Sequence, residues 1–278
     1  MPQSARRGVV GAIHDRGKMP SELRTERTGD GTLVLTMSDP ATRNTLSEQL
    51  FAAGIEALNV AESDTSVRCL VLQGDAGNFC AGGNIPGLRQ RRDADPSVQM
   101  QMLERFHQFI EALRACPKPV IAAVEGAAAG GGFSIALACD LIVAAEDARF
   151  MMSHARLGLT PDGGGSWHLA HLLPRPLALQ AIWLAEPFSA RQLEAHGVVA
   201  QVADSGHALA GARALAGRLA AMAPNAVAAA KDLVNQAARG TLLAHLALER
   251  DQMLQSLFHP NGGEGLQAFV EKRAPRFR

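Results

Sequence analysis

With 278 residues and 47% apolar side chains, the chain is long enough for one large α/β domain with an appendage and can fill a sizeable core. Lys plus Arg and Asp plus Glu are matched at 27 each, a balance that gives no support for electrostatic binding of nucleic acid. No run approaches the roughly 20 apolar residues of a membrane helix, so no membrane association is expected.

In chain order, residues 1–20 carry Arg6, Arg7, Arg16 and Lys18 without an apolar stretch. They do not resemble a secretory signal and are expected to form a mobile tail. Residues 32–37, "TLVLTM", are β-rich and close on the turn Ser38-Asp39-Pro40. Asn44 and Thr45 are placed to cap the next helix, where Leu46, Leu50, Ala53, Ala57 and Val60 recur at helical spacing. Buried-strand runs follow at 67–74 ("VRCLVLQG"), 118–126 ("KPVIAAVEG") and 140–145 ("DLIVAA"). Short apolar strands alternating with helices predict a parallel sheet with both faces covered.

Residues 89–96, "RQRRDADP", are charged and predict a surface loop. From Ser189 onward the strand signal fades. Residues 206–258 are alanine-rich and helical, broken at Pro224 and Gly240. The expected organisation is a tail at 1–20, a sheet-bearing core at 21–204 and a helical region at 205–278. Cys69, Cys80, Cys116 and Cys139 are scattered without a C-x-x-C pair, which argues against a disulfide framework and fits a reducing cytoplasm.

The stretch "AAAGGGFSIALACD" (127–140) sets Gly130, Gly131 and Gly132 directly before a helical segment. Glycine inside a helix costs about 1 kcal/mol relative to alanine. At a helix N-terminus, though, the backbone N–H groups have no intrahelical partner. The glycines there either allow close helix–sheet packing or let another group approach those N–H groups, where the helix dipole favours negative charge. A second small-residue loop, "FCAGGN" (79–84), also follows a buried strand. One N–H from each loop, converging on one oxygen, would make an oxyanion hole.

Together with "DPATRNTL" (39–46), "ARFMMSHARLGLTPDGGGS" (148–166), "PFSARQLEAHGVV" (187–199) and "FVEKRAPRF" (269–277), these stretches resemble the enoyl-CoA hydratase/isomerase, or crotonase, family. The resemblance runs from about residue 33 to the end. It implies an α/β fold, a spiral of ββα units with a C-terminal helical region that assembles trimers, often paired as hexamers. It implies an enzyme acting on acyl-CoA thioesters by stabilising an enolate, with no metal or redox cofactor and coenzyme A carried only as the substrate thioester. Matched residue by residue, the oxyanion donors would be the N–H groups of Gly83 and Gly131. Ala81, Gly82 and the basic pair Lys272 and Arg273 match positions near coenzyme A. For Lys272 and Arg273 an ordinary solvated terminus is the competing reading.

Family hydratases carry two glutamates, and the matching positions here are Ser134 and His154. A serine hydroxyl is not appreciably ionised at neutral pH without an activating partner. His154 is either a base of near-neutral pKa or a pocket-lining residue. Asp162, in "TPDGGG", matches the carboxylate that family isomerases use as a base. Its alternative role is to cap the helix expected near Ser166. His168 and His171 have a spacing compatible with a metal but lack a third ligand nearby, so core or surface histidines are expected. The resulting expectation is isomerisation of 3-enoyl-CoA to 2-enoyl-CoA by Asp162. The alternatives are an atypical hydratase and a catalytically weak acyl-CoA binder. The resemblance is closest to members associated with aromatic-acid breakdown through CoA thioesters.

Overall fold

The larger sheet runs in the order β1-β2-β3-β4-β6-β9. Its strands are β1 (Glu22–Arg27), β2 (Thr32–Ser38), β3 (Cys69–Gly74), β4 (Val120–Val124), β6 (Leu141–Ala145) and β9 (Gln201–Ala203). Only β1 is antiparallel to its neighbour, and every other pair is parallel. The computed structural model describes residues 21–238 and 240–278, so the tail expected at 1–20 lies outside the described residues. Within β3 and β4 nearly every side chain is buried, which is why these strands read as continuous apolar runs rather than alternating ones.

A smaller sheet of β5 (Ala127–Ala129), β7 (Arg149–Met151) and β8 (Phe188–Ser189) stands beside the first. The chain repeats one unit: a strand in the large sheet, a short strand in the small one, then helix. β4, β5 and α4 (Gly131–Ala138) form one such unit. In the preceding unit, the isolated bridge of Cys80 to Ala128 takes the place of the small-sheet strand. This is the ββα spiral that the resemblance implies.

Helices α1 (Glu48–Ser63) and α3 (Pro96–Ala115) pack together beside the sheet. Phe51 of α1 stacks on Phe106 and Phe109 of α3, with ring centroids 5.1 and 6.1 Å apart. Helix α8 (Ala208–Ala220) lies against β3, β4 and β6 with Ala208, Ala212 and Ala216 buried, so the core packing continues through it. The Glu125 carboxylate, just past β4, accepts from the N–H groups of Gly206 (3.0 Å) and Ala208 (2.7 Å) at the start of α8. A negative charge at that end of a helix also matches its dipole.

Three expectations need correction. Ser47, not Asn44 or Thr45, caps α1, its hydroxyl accepting from Leu50 N–H at 3.1 Å. The buried face of α1 is Leu50, Phe51, Gly54, Leu58 and Ala61, whereas Val60 points outward. Residues 89–96 are not a loop. They span the end of α2 (Ile85–Arg92) and the start of α3, with Asn84 and Asp95 as side-chain caps. Low hydrophobicity hid α2, because it contributes no buried residue to the core.

The remaining helices are α5 (Gly165–Leu172), α6 (Arg175–Leu184), α7 (Ala190–Ala195), α9 (Pro224–Ala237), α10 (Leu242–Phe258) and α11 (Pro260–Glu271). Among the described residues no helix is long and apolar enough to cross a membrane. Lys231 of α9 reaches back to the core, donating to Asp140 Oδ2 at 2.8 Å and to the carbonyls of Leu113 and Lys118 at 3.3 Å. Its side chain is only 11% exposed. Replacing it by Met keeps the aliphatic stem and removes the charged donor, so Lys231→Met is expected to lower unfolding free energy by about 2 kcal/mol. Chemical denaturation checks this, and Asp140→Asn in the same chain should recover part of the loss.

Candidate active site

The two glycine loops are laced together through their backbones. Cys80 N–H donates to Ala127 O and Ala129 N–H to Cys80 O, both at 2.9 Å. On its other side the first loop is held by the segment after β2: Ala81 N–H donates to Arg43 O (3.0 Å) and Leu46 N–H to Gly82 O (2.9 Å). Asn44 fastens that segment in turn. Buried, and at φ 59°, it donates from Nδ2 to Asp75 O (2.9 Å) and Asn78 O (2.7 Å) and accepts from Asp39 N–H (2.9 Å).

This lacing explains the glycine run. Gly130 sits at φ 53° and ψ −125°, a conformation that side chains rarely adopt, and its N–H is engaged by Met151 O at 2.8 Å. A Cβ at Gly132 would collide with the Cys80 carbonyl. Backbone conformation therefore accounts for Gly130 and close packing for Gly132. Gly131, whose Cβ would meet Leu46 Cδ1 at 2.6 Å, has a further feature. It opens α4, and among the described residues no backbone carbonyl accepts from its N–H or from that of Gly83.

Gly83 and Gly131 line one cavity of about 600 Å³, together with Ala81, His154 and Asp162. His154 stands in the short helical turn Ser153–Leu157 after β7 and is 11% exposed at its side chain, against 31% for Asp162. His154 Nε2 lies 3.1 Å from Asp162 Oδ1. The carboxylate can only accept, so the proton belongs on Nε2. Among the described residues the buried Nδ1 has no hydrogen-bond partner. Asp162 does not cap α5, because Gly164 holds that position without a side-chain bond. Its carboxylate is partnered by the His154 imidazole instead. Ser134 is fully buried in α4 and donates to the backbone carbonyl of Asp162 at 2.8 Å.

The structure separates the other candidates from this group. Gly82 supports the loop from behind the cavity wall. Lys272 and Arg273 do not line the cavity in the single chain. Arg273 is gripped by Glu264 (2.6 and 3.0 Å) and Glu271 (2.6 Å), and the same contacts hold the Glu264 carboxyl down to about 2. Sequence reasoning missed the apolar wall. Leu88, Leu103, Leu157 and Leu159 line the cavity and also a neighbouring groove of about 850 Å³ between α2, α3 and residues 157–159. Leu88 and Leu103 stand on either side of the charged stretch 89–96, which breaks any apolar periodicity between them.

The arrangement brings two unengaged amides, a carboxylate and an apolar wall to one cavity. A family model for enoyl-CoA hydratase/isomerase matches residues 27–278. The chain belongs to the enoyl-CoA hydratase/isomerase family. It is 35% identical to the 1,2-epoxyphenylacetyl-CoA isomerase of Escherichia coli, covering 89% of this chain and 95% of that one. It is 34% identical to the 2,3-dehydroadipyl-CoA hydratase of the same organism, covering 93% and 99%. An enoyl-CoA hydratase structure from Polaromonas sp. JS666 superposes with a TM-score of 0.91 at 50% identity, over 92% of this chain and all of that one. This crotonase-family fold thus comes with names for both isomerases and hydratases among its relatives.

Near the site, α5 carries Trp167, His168 and His171 in one cluster. His171 stacks on the indole with centroids 4.1 Å apart, and Arg114 lies 4.9 Å over the same ring. Among the described residues no group of three His, Cys, Asp or Glu side chains could hold a metal. Burial, with Arg114 nearby, pushes the His168 imidazole down to about 4 from 6.5. A depressed folded-state value means that the unfolded chain binds the extra proton first. The stabilisation is therefore full above pH 6.5 and is lost as pH falls towards 4, by up to about 3 kcal/mol. Urea denaturation across that range should show the loss, and His168→Gln should flatten it.

Proposed function

We propose that this family member isomerises 3-enoyl-CoA thioesters to 2-enoyl-CoA, with Asp162 as the base. The observation that carries the reading is that Asp162 is the one carboxylate lining the cavity of Gly83 and Gly131, among the described residues. Ser134 is turned into the protein and offers nothing to a substrate. The thioester oxygen would rest between the Gly83 and Gly131 N–H groups. Asp162 removes a proton from the α carbon, the electrons move into a dienolate held by those donors, and the carboxyl returns the proton to the γ carbon. Oδ1 accepts from His154, which leaves Oδ2 for the transfer.

Coenzyme A enters as part of the substrate, a reading supported by the thioesters in both relatives' names, with no further cofactor. Ala81, on the cavity wall, would lie beside the thioester. Lys272 and Arg273 would reach coenzyme A only across a subunit boundary. A hydratase that uses His154 to activate water is the second reading, favoured by the place of that imidazole in the cavity wall. Asp162→Asn is expected to lower isomerisation by about 10²–10⁴-fold while acyl-CoA binding is retained. Product analysis with both substrates tests this. Rapid hydration of 2-enoyl-CoA that survives Asp162→Asn and disappears with His154→Ala would establish the hydratase instead.

A homotrimer or dimer of trimers in the cytoplasm completes the proposal. Helices α9 and α10 bury no residue in the single chain, and Phe258 (81%) and Phe269 (85%) stand in water. Apolar surface on that scale marks an interface. The four thiols are free and buried, as suits a reducing compartment. Sedimentation at micromolar concentration should give a trimer or hexamer, and a stable monomer would overturn the assembly.

A further inference from the structure

Asp162 is held twice, once through its side chain and once through its backbone. The side-chain contact is with His154. The backbone contact is less expected: the Asp162 carbonyl accepts both from Ser134 Oγ–H, at 2.8 Å, and from Gly165 N–H, at 3.0 Å. Ser134 has no exposed surface, so this hydrogen bond is made without competition from water. The loop also rests directly on the serine. A Cβ at Gly165 would come within 2.7 Å of Ser134 Oγ, and one at Gly163 within 3.2 Å of its Cβ.

Ser134 follows Gly131 by three residues in α4, so the two lie on one face of the same helix. One helix therefore presents the Gly131 amide and grips the backbone of the carboxylate. We infer that Ser134 is a positioning residue, whose hydrogen bond fixes Asp162 relative to the oxyanion donor of Gly131. The inference rests on the reading of Asp162 as the base. Its physical basis is that proton abstraction needs the base near contact distance from the α carbon while the oxygen is held, and a misplacement of about 1 Å can cost about 10²-fold in rate.

The test uses the full-length enzyme and a 3-enoyl-CoA substrate in deuterium oxide. The proton taken from the α carbon is either delivered to the γ carbon by the same carboxyl or exchanged with solvent first. Deuterium at the γ carbon of the product is a ratio, and is independent of how much enzyme is folded. Ser134→Ala is expected to lower kcat by about 10–100-fold, leave KM within about twofold, and raise that deuterium content. Ser134→Thr, which keeps a hydroxyl donor, should restore part of the rate and lower the deuterium content again. A Ser134→Ala enzyme with wild-type kcat and wild-type deuterium content would overturn the inference, as would a loss of rate with unchanged deuterium content. Asp162→Asn, assayed in parallel, separates the two failures. If it abolishes isomerisation while Ser134→Ala changes nothing, only the positioning role falls. If isomerisation survives Asp162→Asn, the base assignment falls and the positioning role with it.

Discussion

The pair of backbone hydrogen bonds that Cys80 makes with Ala127 and Ala129 is the contact on which the rest of the site depends. Strands β3 and β4 are parallel neighbours in the large sheet, so their C-terminal ends emerge side by side. Left to diverge, the two loops that follow would not meet again. The Cys80 bridge zips the first loop onto β5, and the closeness it requires excludes any side chain at Gly132. With those bonds in place, the unengaged amides of Gly83 and Gly131 face a single cavity. Around them the lacing engages the N–H groups of Cys80, Ala81, Ala129 and Gly130 and the carbonyl of Gly82.

Asn44 extends the same logic outward. Its left-handed backbone and its bonds to two carbonyls of the 75–78 turn hold the segment that in turn pins Ala81 and Gly82. A buried amide satisfied on both its donor and acceptor sides rigidifies its surroundings, because any displacement strands a polar group away from water. The proposed donor of the first loop is thus supported at two removes from the sheet.

The inner strands β2, β3, β4 and β6 of the large sheet are legible because they are buried on both faces, which writes them as unbroken runs such as "VRCLVLQG", whereas the mostly exposed β1 carries no such run. The three-residue strands β5, β7 and β9 are not legible, since "AAA" carries no β signature and acquires its conformation from the register with β7 and the bridge to Cys80. Asn44 shows the same limit. Its residue type suits a helix cap, and only the tertiary positions of Asp75 and Asn78 give it another partner. Gly83, Gly131, His154 and Asp162, all chosen by motif position, line one cavity. The bond from His154 to Asp162 and the grip of Ser134 on the Asp162 carbonyl are not legible in this way. Both depend on where the 153–165 loop folds back, and no local periodicity encodes that.

Helix α4 draws these threads together. It is wholly buried and apolar but for Ser134, so it can move only with the core. Its first residue offers an unpaired amide to the cavity, and its fourth donates into the loop that carries Asp162. A site in which charge develops and collapses within one turnover gains from donors that need no reorganisation. Loops alone would not supply that fixity, since they are the more mobile parts of a fold. Here the loops are short glycine turns tied to one buried helix, and the groups proposed to hold the oxygen and move the proton share that helix as their common reference.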